Sequence, residues 1–118
     1  MRHRKNKLTL DRTAKQRVPL MRNLAISLIT HERITTTAAK ARATKSMVER
    51  LVTAAKPKTL HARRQVMAAL NNAKAADKLI MTLGPRYAKR QSGYLRSIKV
   101  GFRSGDGAEK VLVEFITE

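Results

Sequence analysis

Leu20, Leu24 and Leu28 recur every fourth residue, with Ile29 beside the last, and this spacing lays one apolar stripe along a helix. Met47, Val48, Leu51, Val52 and Ala55 repeat the pattern further on. Between the two stripes runs Arg33-Ile34-Thr35-Thr36-Thr37, whose Cβ branching restricts χ1 against a helical turn and favours an extended backbone. The order helix, short strand, helix follows, and residues 17 to 56 form the unit around which the chain is organised. The second helix takes Thr37 as its cap and stops before Pro57. Thr59 caps a third helix with Ala62, Val66, Ala69 and Leu70 on one face, and Asn71-Asn72 ends it. A fourth helix carries Ala76, Leu79, Ile80 and Leu83 and closes at Gly84-Pro85, the glycine read as a left-handed cap.

The start of the first helix stays open on pattern alone. Thr13-Ala14-Lys15-Gln16 fits a capping box, whereas Pro19 suits a first turn and would clash with the Lys15 carbonyl inside a helix. After the fourth helix the period changes. Ile98, Val100 and Phe102 alternate with Ser97, Lys99 and Gly101, as in a strand that buries the apolar set. Ser104-Gly105-Asp106-Gly107 is a turn, and Val111 to Ile116 the returning strand of a hairpin. The expected fold class is α+β, a two-layer α/β single domain of order α-β-α-α-α-β-β. It carries a small three-stranded sheet and a basic N-terminal arm, the arm spanning residues 1–17 and the compact domain residues 18–118.

Charge turns this fold into a functional expectation. Of 118 residues, 26 are Lys or Arg and 8 are Asp or Glu, a formal charge of +18 that calls for a polyanionic partner. Nucleic acid is the first candidate. A membrane-surface helix would want aromatic anchors, yet Trp is absent and aromatics are only 3%, and no apolar run is long enough to span a bilayer. Cysteine is absent, which excludes disulfides and thiolate metal sites. The arm holds Arg2, Arg4, Lys5, Lys7, Arg12, Lys15 and Arg17 against Asp11 alone, a pattern that orders along phosphates. Lys40, Arg42, Lys45 and Arg50 avoid the apolar stripe of the second helix and project to solvent or to a ligand. Residues 86 to 103 carry six cations and no acid.

No HExxH, P-loop or GxSxG occurs, and His3, His31 and His61 are scattered, so the expectation is no enzyme, no cofactor and no metal. The rival to an RNA-binding protein is an architectural DNA-binding protein of the bacterial nucleoid. The helices joined at Asn71-Asn72 resemble a helix-turn-helix, but Lys74, Asp77 and Lys78 give poor base-reading chemistry.

Several stretches carry a resemblance in order and spacing over nearly the whole chain. They are Met1-Arg2-His3-Arg4-Lys5, Arg22-Asn23-Leu24-Ala25, His31-Glu32-Arg33-Ile34 with Thr36-Thr37 and Lys40-Ala41, Gly84-Pro85-Arg86-Tyr87, Gly93-Tyr94 and Gly105-Asp106. Together they resemble the bacterial ribosomal protein L17 family. The resemblance implies a component of the large ribosomal subunit that binds large-subunit ribosomal RNA near the exit of the peptide tunnel. It also implies neighbouring ribosomal proteins as partners, a cytoplasmic location in the ribosome, and neither membrane nor small-molecule substrate. Candidate RNA contacts are then Arg2, His3, Arg4, Lys5, Lys7, Arg12, Lys15 and Arg17 of the arm, Arg22 and Lys40 of the helices, Thr35 and Thr36 of the strand, and Arg86, Tyr87, Arg90, Tyr94 and Arg96 of the later loop. A stacking role for Tyr87 or Tyr94 competes with burial in the core.

Overall fold

The β-branched run after Glu32 does interrupt two long helices, and in the computed structural model, which describes residues 9–117, it forms strand β1 (Arg33–Thr37) between α1 (Ala14–His31) and α2 (Ala38–Ala55). Helices α3 (Leu60–Leu70) and α4 (Ala73–Lys78) follow, then strands β2 (Leu95–Phe102) and β3 (Glu109–Phe115). This is the α+β architecture expected from the sequence. All three strands are antiparallel, and β3 lies in the middle of the order β1–β3–β2. Ile34 faces Val113 across one ladder, and Leu95 faces Phe115 across the other. Alternation then turns Val111, Val113 and Phe115 toward the helical layer, where they join Val48, Val52, Leu79 and Leu83 in one core.

Local chemistry explains most helix boundaries. Thr59 Oγ1 accepts from the Ala62 N–H at 3.1 Å, and Asn72 Oδ1 accepts from the Ala75 N–H at 3.0 Å, each satisfying a donor that the first turn leaves free. Asn71 takes the left-handed conformation that ends α3, and its N–H donates to the Met67 carbonyl. Thr13 and Thr37 occupy the cap positions of α1 and α2 without a side-chain cap bond, so the capping box at Thr13 does not form. Helix α1 begins at Ala14 and keeps Pro19 inside it, which places residues 14–17 of the basic segment in helix.

Three expectations are corrected. In α1 the buried face is Ala25, Leu28 and Ile29, while Leu20 and Leu24 are only half-buried at its margin. Leucine spacing misplaces the face because an alanine lets two helices approach closely and so marks a contact as well as a bulky residue does. Gly84 is not a left-handed cap. Its φ is −56°, and the chain passes through it from a π-helical turn (Leu79–Leu83) into a last α-turn (Gly84–Arg86). The glycine is needed for room: a Cβ there would lie 3.3 Å from the Leu79 carbonyl oxygen and 3.5 Å from that of Ala55. The Gly84 N–H reaches back five residues to Leu79, and the wider turn carries the helix past Pro85.

The third correction concerns β2. Ile98, Val100 and Phe102 are exposed rather than buried, at 43%, 50% and 72%. Ile98 pairs with Leu112 on the sheet face turned away from the described helices, and a bulge between Lys99 and Gly101 shifts the register beyond it, so that Phe102 pairs with Glu109 on the other face. Only Leu95 at the start of β2 reaches the core.

The buried face of α1 yields a stability test. Leu28 is fully enclosed, so Leu28→Ala should cost about 2–5 kcal/mol, out of a total typically about 5–15 kcal/mol. Leu24→Ala, at the margin, should cost clearly less. Thermal melts that rank the two variants the other way would show that a different face is buried.

Candidate nucleic-acid interface

The eight acids of the chain are too few to match its cations, and where they sit decides which cations remain available. Glu114, on β3, lies between the two outer strands. Its Oε2 accepts from Arg33 Nη2 at 3.0 Å on β1, and its Oε1 accepts from Arg96 Nε at 2.6 Å on β2. The register places all three opposite one another, so this bridge clamps the sheet across its full width. The two guanidinium groups, Arg33 first, hold the Glu114 carboxyl below the usual carboxylate range.

Glu32 forms the second junction. It ends α1 in the left-handed conformation, with its N–H donating to the Leu28 carbonyl at 2.7 Å, and its own carbonyl accepts the Phe115 N–H at 3.0 Å. Its carboxylate takes two hydrogen bonds from Arg86, at 3.0 and 3.1 Å, and lies 3.4 Å from Lys78 Nζ. The fork on Arg86 lowers the Glu32 carboxyl against the opposing effect of burial, and raises Arg86 in return. Asp77 pairs with Arg63, Glu109 with Lys99 at 3.3 Å, and Asp106 with Arg103. Glu49 Oε1 accepts the Leu95 N–H at 3.4 Å, at the start of β2.

These contacts sort the candidate residues. Arg86 and Arg96 are held in ion pairs, and Arg22 donates from Nε to the Ala69 carbonyl at 3.1 Å, tying α1 to α3. Arg90 donates to the Gly93 carbonyl at 3.3 Å. Tyr87 and Tyr94 are buried, at 3% and 1% exposure, with ring centroids 5.3 Å apart and Tyr87 stacked 6.1 Å from Phe115. Neither ring offers a face to a base. Their hydroxyls hold the loop instead: Tyr87 donates to the Ile116 carbonyl at 2.6 Å, and Tyr94 to the Gln91 carbonyl at 2.7 Å. Burial raises the Tyr87 phenol. Lys56 donates to the Arg90 carbonyl and lies 4.6 Å above the Tyr94 ring, fastening the same loop to the end of α2.

Arg12 and Lys15 are exposed, and Arg17 folds back to the Arg12 carbonyl at 3.0 Å. Thr35 is exposed on β1 and Thr36 is half-buried. Arg2, His3, Arg4, Lys5 and Lys7 lie outside the described residues.

One feature is more coherent than the sequence shows. A shallow groove runs between α2 and residues 92–94, lined by Arg42, Lys45, Ser46, Glu49, Arg50 and Thr53 of the helix and by Ser92 and Tyr94. Arg42, Lys45 and Arg50, and also Lys40 two residues before Arg42, have no carboxylate partner among the described residues. Positions 42, 45, 46, 49 and 53 fall on one side of a helix. Arg42, Lys45 and Arg50 stand out in the sequence only as avoiding the apolar stripe, and the folded loop supplies the other wall.

A helical layer over a three-stranded antiparallel sheet, with most of the described acids in ion pairs and surplus cations along a groove, defines a small basic α+β protein. The chain belongs to the ribosomal protein L17 family, whose model matches residues 20–116. It is 50% identical over 116 residues to the large ribosomal subunit protein bL17 of Gemmatimonas aurantiaca, an alignment spanning 98% of both chains. It is 47% identical over 116 residues to the bL17 protein of Allorhizobium ampelinum, covering 98% of this chain and 82% of that one. The family is one of structural ribosomal proteins.

The Glu114 bridge makes stability depend on acid pH with a definite sign. A carboxyl lowered in the folded state stabilises fully above its unfolded value, about 4.3, and that contribution is lost as pH falls through the lower folded value. Glu114→Gln should therefore lower the melting temperature at pH 7 and flatten its decline between about pH 5 and pH 2. An acid decline as steep as the parent's would mean that the bridge adds nothing.

Proposed function

We propose that this chain is a structural component of the large ribosomal subunit that binds the large-subunit ribosomal RNA near the exit of the peptide tunnel, in the cytoplasm, beside other ribosomal proteins. The observation that carries the RNA reading is the split of charge: acids neutralise cations at junctions of the fold, while Lys40, Arg42, Lys45 and Arg50 along α2 have no carboxylate partner among the described residues. Family membership supports the ribosomal setting.

Cations along the groove neutralise phosphates and release condensed counterions, which supplies affinity without reading sequence. Specificity comes from matching the shape of folded RNA, since the A-form major groove is too narrow for side chains. The basic arm, residues 1–17, adds phosphate contacts, with Arg12 and Lys15 leading into α1. The loop at residues 86–96 acts chiefly as a wall: Tyr87 and Tyr94 position it, and Lys89 is exposed on it. No helix among the described residues is long and apolar enough to cross a membrane.

Duplex DNA fits this surface less well. A recognition helix at α4 would need Lys74, Asp77 and Lys78 to reach bases, yet Asp77 is paired with Arg63, and Lys78 donates to the Thr30 carbonyl at 2.9 Å beside Glu32.

Filter titrations on ribosomal RNA test the reading. With roughly six phosphate contacts, log K should fall with log[salt] at a slope of about −4 to −5. Reversing Arg42 and Lys45 together to Glu should weaken binding, lower the slope magnitude by about 2, and leave the melting temperature within about 2–3 °C of the parent. A salt-independent affinity, equal affinity for duplex DNA at the same salt, or unchanged binding by the double variant would each contradict it.

A further inference from the structure

The part of the molecule least suited to a polyanion is the β2–β3 hairpin. Residues 95–115 hold four cations, Arg96, Lys99, Arg103 and Lys110, and three of the chain's eight acids, Asp106, Glu109 and Glu114. Those acids neutralise Arg96, Lys99 and Arg103 inside the hairpin, which leaves a nearly uncharged surface on a +18 chain. Along its outer strand stand Ile98, opposite Leu112, and beyond the bulge Val100 and Phe102, the last opposite Glu109 and so turned to the other side of the sheet from Ile98. They are three of the six exposed large apolar residues among those described, whereas Val18, Leu60 and Met81 are scattered over separate helical segments. Phe102 is 72% exposed, although the chain's three other aromatic residues are all buried.

The backbone points the same way. In the order β1–β3–β2, strand β2 pairs only with β3 among the described residues, so one edge of β2 presents N–H and C=O groups that no described strand takes up, next to these side chains. An apolar open edge invites pairing with another chain, and soluble proteins cover or charge such edges. Here the charges flanking the edge are already paired.

We propose that the outer edge of β2, from Ile98 to Phe102, is a docking site for an extended, apolar, weakly charged segment of a neighbouring protein in the large subunit, added as a short strand. The inference rests on the ribosomal reading for the setting and on the hairpin for the site. RNA is the poorer occupant, because the phosphates of a backbone would meet Asp106 and Glu109 and find little unpaired positive charge. A second copy is poorer still: two chains of +18 repel, and the bulge at Val100 interrupts the flat register that β2 would need to pair with itself. A short foreign strand needs only the few residues on either side of that bulge.

The test uses the full-length protein in assembled large subunits. A photo-crosslinking benzophenone side chain is placed at Ile98 and, in a second preparation, at Phe102, and the linked peptides are sequenced. We expect both probes to link to one short segment of one ribosomal protein, the linked residues stepping along it by about the four-residue spacing of the probes. Adducts to ribosomal RNA, or to a second copy of this chain, would overturn the proposal while leaving the ribosomal reading intact. So would particles that contain the protein but give no adduct. If neither variant nor parent enters large subunits, the ribosomal reading fails and this proposal fails with it. Ile98→Ala with Phe102→Ala supplies a second readout. The free double variant should melt like the parent, because neither side chain is buried, and the hydrogen-exchange protection that assembly confers on residues 98–102 should be lost. Protection equal to the parent's would also overturn the docking site.

Discussion

One constraint shapes the fold, a large excess of positive charge that must be brought together in a compact chain. With 26 cations against 8 acids, general repulsion opposes the compact state, and each carboxylate has value chiefly through its position. Glu114 joins three strands by pairing with Arg33 and Arg96, and Glu32 joins the end of α1 to Arg86 and Lys78 while its backbone meets β3. Exposed ion pairs are individually weak, about 0–1 kcal/mol. Their role here is to remove repulsion at the places where elements with cationic side chains must come together. The apolar core does the rest, with the Tyr87, Tyr94 and Phe115 cluster sealing the end of the sheet.

Sequence patterns revealed the parts of this fold that depend on local chemistry. The Thr59 cap, the Asn71-Asn72 break, the buried faces of α2 and α4, and the strand between the first two helices can all be read from spacing and side-chain type. Features set by distant partners could not. Gly84 looks like a helix terminator until the Ala55 carbonyl beside it is known, and only tertiary packing puts that carbonyl there. Ile98, Val100 and Phe102 alternate as a buried strand face would, but pairing with β3 turns Ile98 to the face away from the helices, and the bulge between Lys99 and Gly101 breaks the alternation before Phe102. The candidate site shows the same division. Basic residues on α2 are visible as a polar stripe, whereas the retention of Arg86 and Arg96 in ion pairs and the burial of both tyrosines depend on contacts more than 15 residues apart in sequence.

The two sides of the molecule therefore have different chemistry. The groove along α2 carries charge with no carboxylate partner among the described residues, which a phosphate backbone could neutralise, and the β2–β3 hairpin carries mostly paired charge and exposed apolar side chains. The proposed setting between RNA and other proteins would use both kinds of surface. The tyrosine-anchored loop lies against α2 on one side and leads into β2 on the other, so packing of the aromatic cluster fixes how the two surfaces are oriented.

If the division of charge is right, surplus charge both destabilises the free chain and drives the proposed binding to RNA. Salt tests both halves in one series. Raising sodium chloride from about 0.01 M to about 0.15 M shortens the Debye length from about 30 Å to about 8 Å. The melting temperature of the free protein should rise across this range while its affinity for ribosomal RNA falls. A melting temperature that falls together with the affinity would show that the ion pairs outweigh the repulsion, and would contradict this account of how the charge is divided.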